Sequence, residues 1–140
     1  MHTKELELPR KLVNELLHYA QLSNDQEVCG LIGKNSADDY TFYPVNNVAE
    51  EPSTRFLMAP EEQISAMKKI NNDGQTLFAI YHSHPTAPAT PSAIDIELTS
   101  YPDAYYLIVS LNTKGVLEMR CFQLLHDENI TEITLRMKEA

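Results

Sequence analysis

The chain has 140 residues, 43% of them hydrophobic and 22% charged, and its formal net charge is −9. This is close to the usual length of one domain, so we expect residues 1–140 to form a single domain around one core. The negative charge argues against nucleic acid as the main partner, because phosphate binding needs clustered Lys and Arg.

The first half of the chain predicts two helices and two strands. Apolar residues recur at helical spacing from Pro9 to Leu22, and Cys29–Ile32 and Tyr40–Val45 are short apolar runs typical of strands. A second helix is predicted to begin near Pro60. The two glutamates directly after Pro60 would lie in its first turn and complement its N-terminal dipole. The sequence Asn71-Asn72-Asp73-Gly74 is typical of a helix end.

The second half predicts a strand buried on both faces, Leu77–Tyr81, which runs directly into His82-Ser83-His84. A proline-rich stretch follows, and then a short helix is predicted over Ser92–Ser100. The remaining predicted strands are Tyr105–Leu111, Val116–Leu124 and Ile130–Met137. The sum is about six strands and about three helices in a mixed α/β or α+β arrangement.

The histidine pair predicts a metal site at the end of the buried strand. Side chains two apart on a strand share a face, so His82 and His84 can present both imidazoles to one point. Asp95 lies three residues after Ser92 on the predicted helix, and the proline loop would turn that face toward the histidines. Two nitrogens and one carboxylate leave a fourth position for water, which is the composition of a catalytic zinc site. We therefore expect one Zn²⁺ per chain.

A zinc-bound water also needs a base, and the best candidate is Glu27, just before the apolar run that begins at Val28. Periodicity alone does not connect Glu27 to a site 55 residues downstream. The connection comes from a resemblance. Glu27, then His82-Ser83-His84, seven residues, Ser92, two residues and Asp95 resembles the signature of the JAMM (MPN+) metalloprotease family, small stand-alone prokaryotic type.

The resemblance implies a cytidine-deaminase-like α/β fold and hydrolysis of the peptide or isopeptide bond after the C-terminal Gly-Gly of a ubiquitin-like or sulfur-carrier protein. Carried over by position, His82, His84 and Asp95 ligate zinc, and Glu27 acts as general base and then acid. Ser92 would donate a hydrogen bond to the developing oxyanion. The short chain lacks room for the long insertions with which eukaryotic deubiquitinases grip ubiquitin.

Simpler interpretations stand beside these. Ser92-x-x-Asp95 is also an ordinary helix-start pattern, and one hydroxyl can cap the helix, catalyse or alternate between the two. Glu27 alone would be a surface carboxylate. Cys29 and Cys121 form no C-x-x-C pair, so two reduced, buried thiols are expected rather than a disulfide or a structural zinc site.

Three rival functions are distinguished by sequence features. A non-catalytic scaffold of the same fold would have lost its metal ligands, whereas all five positions are occupied here. A DNA-repair-associated family carries a similar metal motif, but its members usually bear an extra DNA-binding region. A zinc nucleoside deaminase would need H-x-E followed by P-C-x-x-C, and no P-C-x-x-C occurs in the sequence.

Substrate and location are predicted only in outline. We expect an extended Gly-Gly tail to lie along a strand edge near Asn46–Leu57 and to add a strand to the sheet. The chain has no apolar run of membrane-spanning length and no basic, apolar start typical of a signal peptide, so we expect a cytoplasmic protein without a membrane partner. The oligomeric state, including a homodimer, is left open.

Overall fold

The computed structural model describes residues 5–92, 101, 103–112, 117–124 and 130–138. Within them the chain forms seven strands and two helices. In chain order these are β1 (Glu5–Pro9), α1 (Arg10–Gln21), β2 (Cys29–Lys34), β3 (Tyr40–Val45), α2 (Pro60–Asn72), β4 (Thr76–His84), β5 (Tyr105–Ser110), β6 (Glu118–Leu124) and β7 (Ile130–Lys138).

The strands form one mixed sheet in the order β1-β7-β6-β5-β4-β2-β3. Strands β1 and β7 are parallel, as are β4 and β5, and the other neighbours are antiparallel. β4 and β5 are central, and each is buried at nearly every position because both of its faces are covered. The histidine-bearing strand therefore lies in the rigid middle of the molecule.

The two helices cover opposite faces of the sheet. Leu12, Val13, Leu16 and Ala20 of α1 share a buried cluster with Ile32, Ala79, Tyr81, Leu107 and Val109 of the sheet. The second cluster joins Ala66 and Ile70 of α2 to Leu31, Ile80, Tyr106 and Ile108. From Ala79 onward side chains alternate along β4: Ala79 and Tyr81 face α1 and Ile80 faces α2, so the histidines at 82 and 84 belong to the α2 side. Neither described helix has the length and apolar character needed to cross a membrane.

The mixed α/β class predicted from the sequence is confirmed, and the boundaries of the predicted elements fall within a few residues of those observed. The strand count is seven rather than six, because β1 was not predicted. Its signal is present, since Leu6 and Leu8 alternate with Glu5 and Glu7. The strand is at the sheet edge and pairs only with β7, at the other end of the chain. The predicted third helix, Ser92–Ser100, falls almost entirely on residues outside the described ranges and stays a prediction.

Candidate metal centre

The pairing of β2 with β4 brings Glu27 beside the two histidines. Cys29 lies opposite His82 in the antiparallel register, and continuing that register by two residues places Glu27 opposite His84. The Ser83 N–H donates to the Val28 carbonyl at 3.0 Å, so the pairing extends past the start of β2. Glu27 and His84, which are 57 residues apart in sequence, thus become cross-strand neighbours, and all three side chains share the α2 face.

The three side chains form a compact, buried group. Glu27 is 4% exposed, His84 2% and His82 fully buried. One carboxylate oxygen and one nitrogen from each ring lie within 4.8 Å of one another. The two Nε2 atoms are 3.1 Å apart. Charged and polar groups rarely gather so far from water unless they bind an ion or act chemically.

A hydrogen bond fixes the ring of His84. Its Nδ1 lies 2.7 Å from the Pro88 carbonyl oxygen. A carbonyl can only accept, so Nδ1 carries the proton and the lone pair of Nε2 points into the cluster. This is the usual way in which a second hydrogen bond sets the tautomer of a metal-binding histidine.

Hydrogen bonds attach the proline-rich loop after β4 to β5, close to the hydrogen bond between His84 and Pro88. The Ser110 hydroxyl donates to the Ala87 carbonyl at 2.7 Å, and the Leu111 N–H donates to the His84 carbonyl at 3.0 Å. Ser110 is the parallel-register partner of His84 and is 1% exposed. The loop therefore leaves the sheet along a defined path to Ser92, which is half-buried.

An aromatic ring covers His82 from the loop between β3 and α2. The Phe56 ring stacks on the imidazole with centroids 4.5 Å apart and an interplanar angle of 29°. The same loop contacts Glu27, whose N–H donates to the Pro52 carbonyl at 2.7 Å. The loop thus limits access to the cluster on the α2 side.

Cys29 is adjacent to the cluster and is held as a buried thiol. Burial, followed by the negative charges of Glu27 and Glu62, raises the pKa of the Cys29 thiol to about 12. The thiol is therefore protonated at neutral pH, and its Sγ donates to the Val45 carbonyl at 3.3 Å. Cys121 is also a buried thiol, as expected from the sequence.

The geometry fits a zinc ion. Two nitrogens that each lie about 2.0–2.1 Å from one tetrahedral zinc are about 3.3 Å from each other. The separation of 3.1 Å between the Nε2 atoms of His82 and His84 is close to that value. Imidazole nitrogen with carboxylate oxygen is also the donor set of catalytic zinc sites. The cluster can therefore hold a metal ion.

Three of the five side chains singled out in the sequence are brought together: Glu27, His82 and His84. Ser92 is described at the end of the proline loop, whereas Asp95 lies outside the described residues. Sequence reasoning missed three supports, namely Phe56, Ser110 and the carbonyl of Pro88. A carbonyl leaves no signal in a sequence, and the other two residues are ordinary in type, so only their contacts identify them.

The family described as prokaryotic homologs of the JAB domain matches residues 9–124. A desampylase of Haloferax volcanii is 42% identical over 86 residues, which are 60% of this chain and 62% of that protein. A probable TtuB-protein conjugate cleaving protease of Thermus thermophilus is 32% identical over 135 residues, 96% of this chain and 86% of that protein. A CysO-cysteine peptidase of Mycobacterium tuberculosis is 28% identical over 130 residues, 91% of this chain and 88% of that protein.

Solved structures show the same fold. A protein of Desulfitobacterium hafniense, determined in solution, superimposes with a TM-score of 0.81 at 34% identity, covering 96% of this chain and 93% of that one. A structure described as a JAMM metalloprotease-like zinc site in the proteasome and signalosome gives a TM-score of 0.52 at 17% identity, covering 96% of this chain and 99% of that one. At that identity the second likeness concerns the fold alone.

Proposed function

This chain belongs to the family of prokaryotic homologs of the JAB domain, and on that premise we propose that it is a zinc-dependent peptidase. Its substrate is a ubiquitin-like or sulfur-carrier protein, and it cleaves the peptide or isopeptide bond after the C-terminal Gly-Gly. The observation that carries the proposal is the buried convergence of Glu27, His82 and His84. Relatives that align with most of this chain are named as a peptidase and a protease.

We assign the zinc ligands to His82, His84 and Asp95, with one ion per chain. The oriented Nε2 of His84 and its distance from that of His82 support the first two. Asp95 follows from its position in the motif. When bound, zinc supplies a Lewis acid that activates water for attack at neutral pH.

Glu27 is assigned as the general base. Its carboxylate is buried next to the histidines and therefore next to the place where the scissile carbonyl must lie. The carboxylate takes the proton of the attacking water and then donates it to the amine that leaves, so the amine departs as a neutral group. Ser92, at the end of the pinned loop, is assigned as a hydrogen-bond donor to the oxygen of the scissile carbonyl as negative charge develops there.

We infer a preference for glycine from the aromatic ring that covers the cluster. Phe56 stacks on His82, and we expect a tail that reaches the metal to pass through a narrow space beside this ring. The loop at 46–58 is paired with itself, since the Val48 N–H donates to the Leu57 carbonyl at 2.8 Å and Asn47 forms a bridge with Met58. The tail would therefore add as a strand to the outer edge of this loop.

The test is incubation of the protein with ubiquitin-like and sulfur-carrier proteins extended beyond Gly-Gly, followed by intact-mass measurement. Cleavage after Gly-Gly is expected, together with its loss in chelator and its return on adding Zn²⁺. Matched substrates ending in Gly-Ala or Ala-Ala before the scissile bond should be cut much more slowly. Equal rates for all three would contradict the narrow passage. A metal-replete protein that cleaves none of them would overturn the peptidase assignment.

A further inference from the structure

The side-chain amide of Asn47 makes five hydrogen bonds, all to backbone groups. Its Nδ2 lies 2.9 Å from the Glu27 carbonyl, 3.4 Å from that of Pro52 and 3.1 Å from that of Arg55. Its Oδ1 accepts from the N–H groups of Ala49 and Leu57, each at 3.0 Å. One amide group therefore connects both arms of the loop at 46–58 to the residue before β2.

Asn47 occupies a defined place in the sheet. Cys29 pairs with Val45 in the antiparallel β2–β3 register, so continuing the register by two residues places Asn47 opposite Glu27. β3 ends at Val45, and two residues further on the side-chain N–H of Asn47 donates to the Glu27 carbonyl. Glu27 therefore has His84 as its register neighbour on one side and Asn47 on the other.

Both peptide groups of Glu27 are tied to the loop. Its N–H donates to the Pro52 carbonyl at 2.7 Å, and its carbonyl accepts from Asn47. The Asn47 amide also contacts the Pro52 carbonyl. Asn47 therefore supports the carbonyl that accepts the hydrogen bond from the Glu27 N–H. Glu27 lies outside the β2 ladder, and these contacts fix its backbone on the side away from β4.

We propose that Asn47 is a positioning residue: it sets the place of the Glu27 carboxylate and, through the same loop, the place of the Phe56 ring over His82. This inference rests on the proposed function, in which Glu27 is the base and the loop borders the tail. One amide then couples the reacting carboxylate to the surface that receives the substrate. A displacement of about 1 Å in a reacting group can cost about 100-fold in rate, so such a tie matters for catalysis.

Two variants separate the two halves of the amide. Asn47→Ala removes all five hydrogen bonds, whereas Asn47→Asp keeps an acceptor for Ala49 and Leu57 but loses the donor to the three carbonyls. The matched control is Asn35→Ala in the β2–β3 turn. The Asn35 Oδ1 accepts from the N–H groups of Ala37 and Asp39, at 3.0 Å and 2.9 Å. Asn35 follows the C-terminal end of β2, whereas Glu27 precedes its N-terminal end.

The first readout is amide hydrogen exchange of the folded protein, which needs no substrate. Exchange at the Glu27 N–H should become at least about 10-fold faster in both Asn47 variants, because the Pro52 carbonyl loses its support. The N–H groups of Ala49 and Leu57 should become faster only in Asn47→Ala. Asn35→Ala should leave all three unchanged. Unchanged protection at Glu27 in Asn47→Ala would overturn the proposal, whatever the activity.

The second readout is kcat in a double-mutant cycle. Asn47→Ala should lower kcat about 10- to 100-fold with zinc content unchanged, and Asn35→Ala should not. In a Glu27→Gln background, Asn47→Ala should lower kcat little further, because it acts through the carboxylate that has been removed. If the fold-losses in kcat of the two single variants multiply in the double variant, a role of Asn47 through Glu27 is refuted. If wild-type protein cleaves no Gly-Gly substrate, the proposed function fails, and the exchange data still decide whether Asn47 places Glu27.

Discussion

The Val28 N–H donates a hydrogen bond to the side-chain hydroxyl of Ser83, with 2.9 Å between the two heavy atoms. Ser83 lies between the two histidines, and Val28 follows Glu27 directly. Together with the reverse bond from the Ser83 N–H to the Val28 carbonyl, the contact closes the β2–β4 ladder at the site. The hydroxyl between the proposed ligands thus fixes the segment that carries the proposed base.

Replacing Ser83 should therefore cost both stability and rate. Ser83→Ala leaves the Val28 N–H without its acceptor, which should lower the free energy of unfolding by about 1–3 kcal/mol and reduce kcat. Ser83→Thr keeps the hydroxyl and should retain most of both. Urea unfolding and initial rates measure the two effects. An alanine variant as stable and active as wild type would show that the hydroxyl is dispensable.

The roles of Glu27 and Asp95 differ in their effect on metal content. Glu27→Gln keeps the size of the side chain but removes the base, so zinc should stay near one equivalent while the rate falls roughly 10²–10⁴-fold. Asp95→Asn should instead lose affinity for zinc, because it removes a ligand. Metal analysis after dialysis and initial rates test both. Loss of zinc from Glu27→Gln would identify Glu27 as a ligand, and normal turnover would end its assignment as base.

Ser92 offers a choice between catalysis and helix capping. Ser92→Ala should lower kcat about 10²–10³-fold if the hydroxyl donates to the oxyanion. If the hydroxyl only caps the helix predicted after it, the variant should lose about 1 kcal/mol of stability and little rate. Thermal unfolding and kcat, measured on one preparation, separate the outcomes. We expect the rate effect to dominate.

Gly30 is required by the packing of β3 against β2. A Cβ at this position would lie 2.6 Å from the Tyr43 carbonyl oxygen and 2.6 Å from Cε1 of Phe42. Since backbone cannot yield as a side chain does, Gly30→Ala should destabilise the protein by about 1–3 kcal/mol. Gly74→Ala is the comparison, because that position has open space and only a positive φ of 70°. Calorimetry should rank Gly30→Ala as the more destabilising, and an unchanged midpoint would refute the clash.

The Arg120–Glu132 ion pair between β6 and β7 should make a small, pH-dependent contribution to stability. The hydrogen bond from Arg120 holds the pKa of the Glu132 carboxyl below its usual range. A carboxylate whose pKa is lower in the folded state than in the unfolded state stabilises the folded protein at pH values above the unfolded-state pKa. This stabilisation is lost as the pH falls through the folded-state pKa. Both side chains are partly exposed, at 32% and 46%, so the pair is worth at most about 1 kcal/mol.

Glu132→Gln should accordingly be less stable than wild type by up to about 1 kcal/mol near neutral pH. The difference should shrink in high salt and disappear at a pH below the lowered pKa of Glu132. Urea unfolding across this pH range, at two salt concentrations, measures it. A difference that persists in acid would assign the effect to packing, for example to the Arg120 guanidinium 5.4 Å from the centroid of the Phe122 ring.

Local sequence was sufficient for most of the elements and for half of the site. Helical spacing gave α1, and Pro60 with two glutamates gave the start of α2. The alternation rule placed His82 and His84 on one face, and both nitrogens do converge. These features depend on contacts between residues a few positions apart, so the chain itself carries their signal.

Tertiary structure decided which distant residues join the histidines. Glu27 reaches them because of the register in which β2 pairs with β4, and Asn47 reaches Glu27 because of the register of β3. Strand β1 exists only because the other end of the chain supplies β7 as its partner. Register is set by burial of whole strand faces and by turn geometry, and a shift of one residue would turn Glu27 to the opposite face of the sheet. That choice is made by the packed core as a whole, which no short stretch of sequence contains.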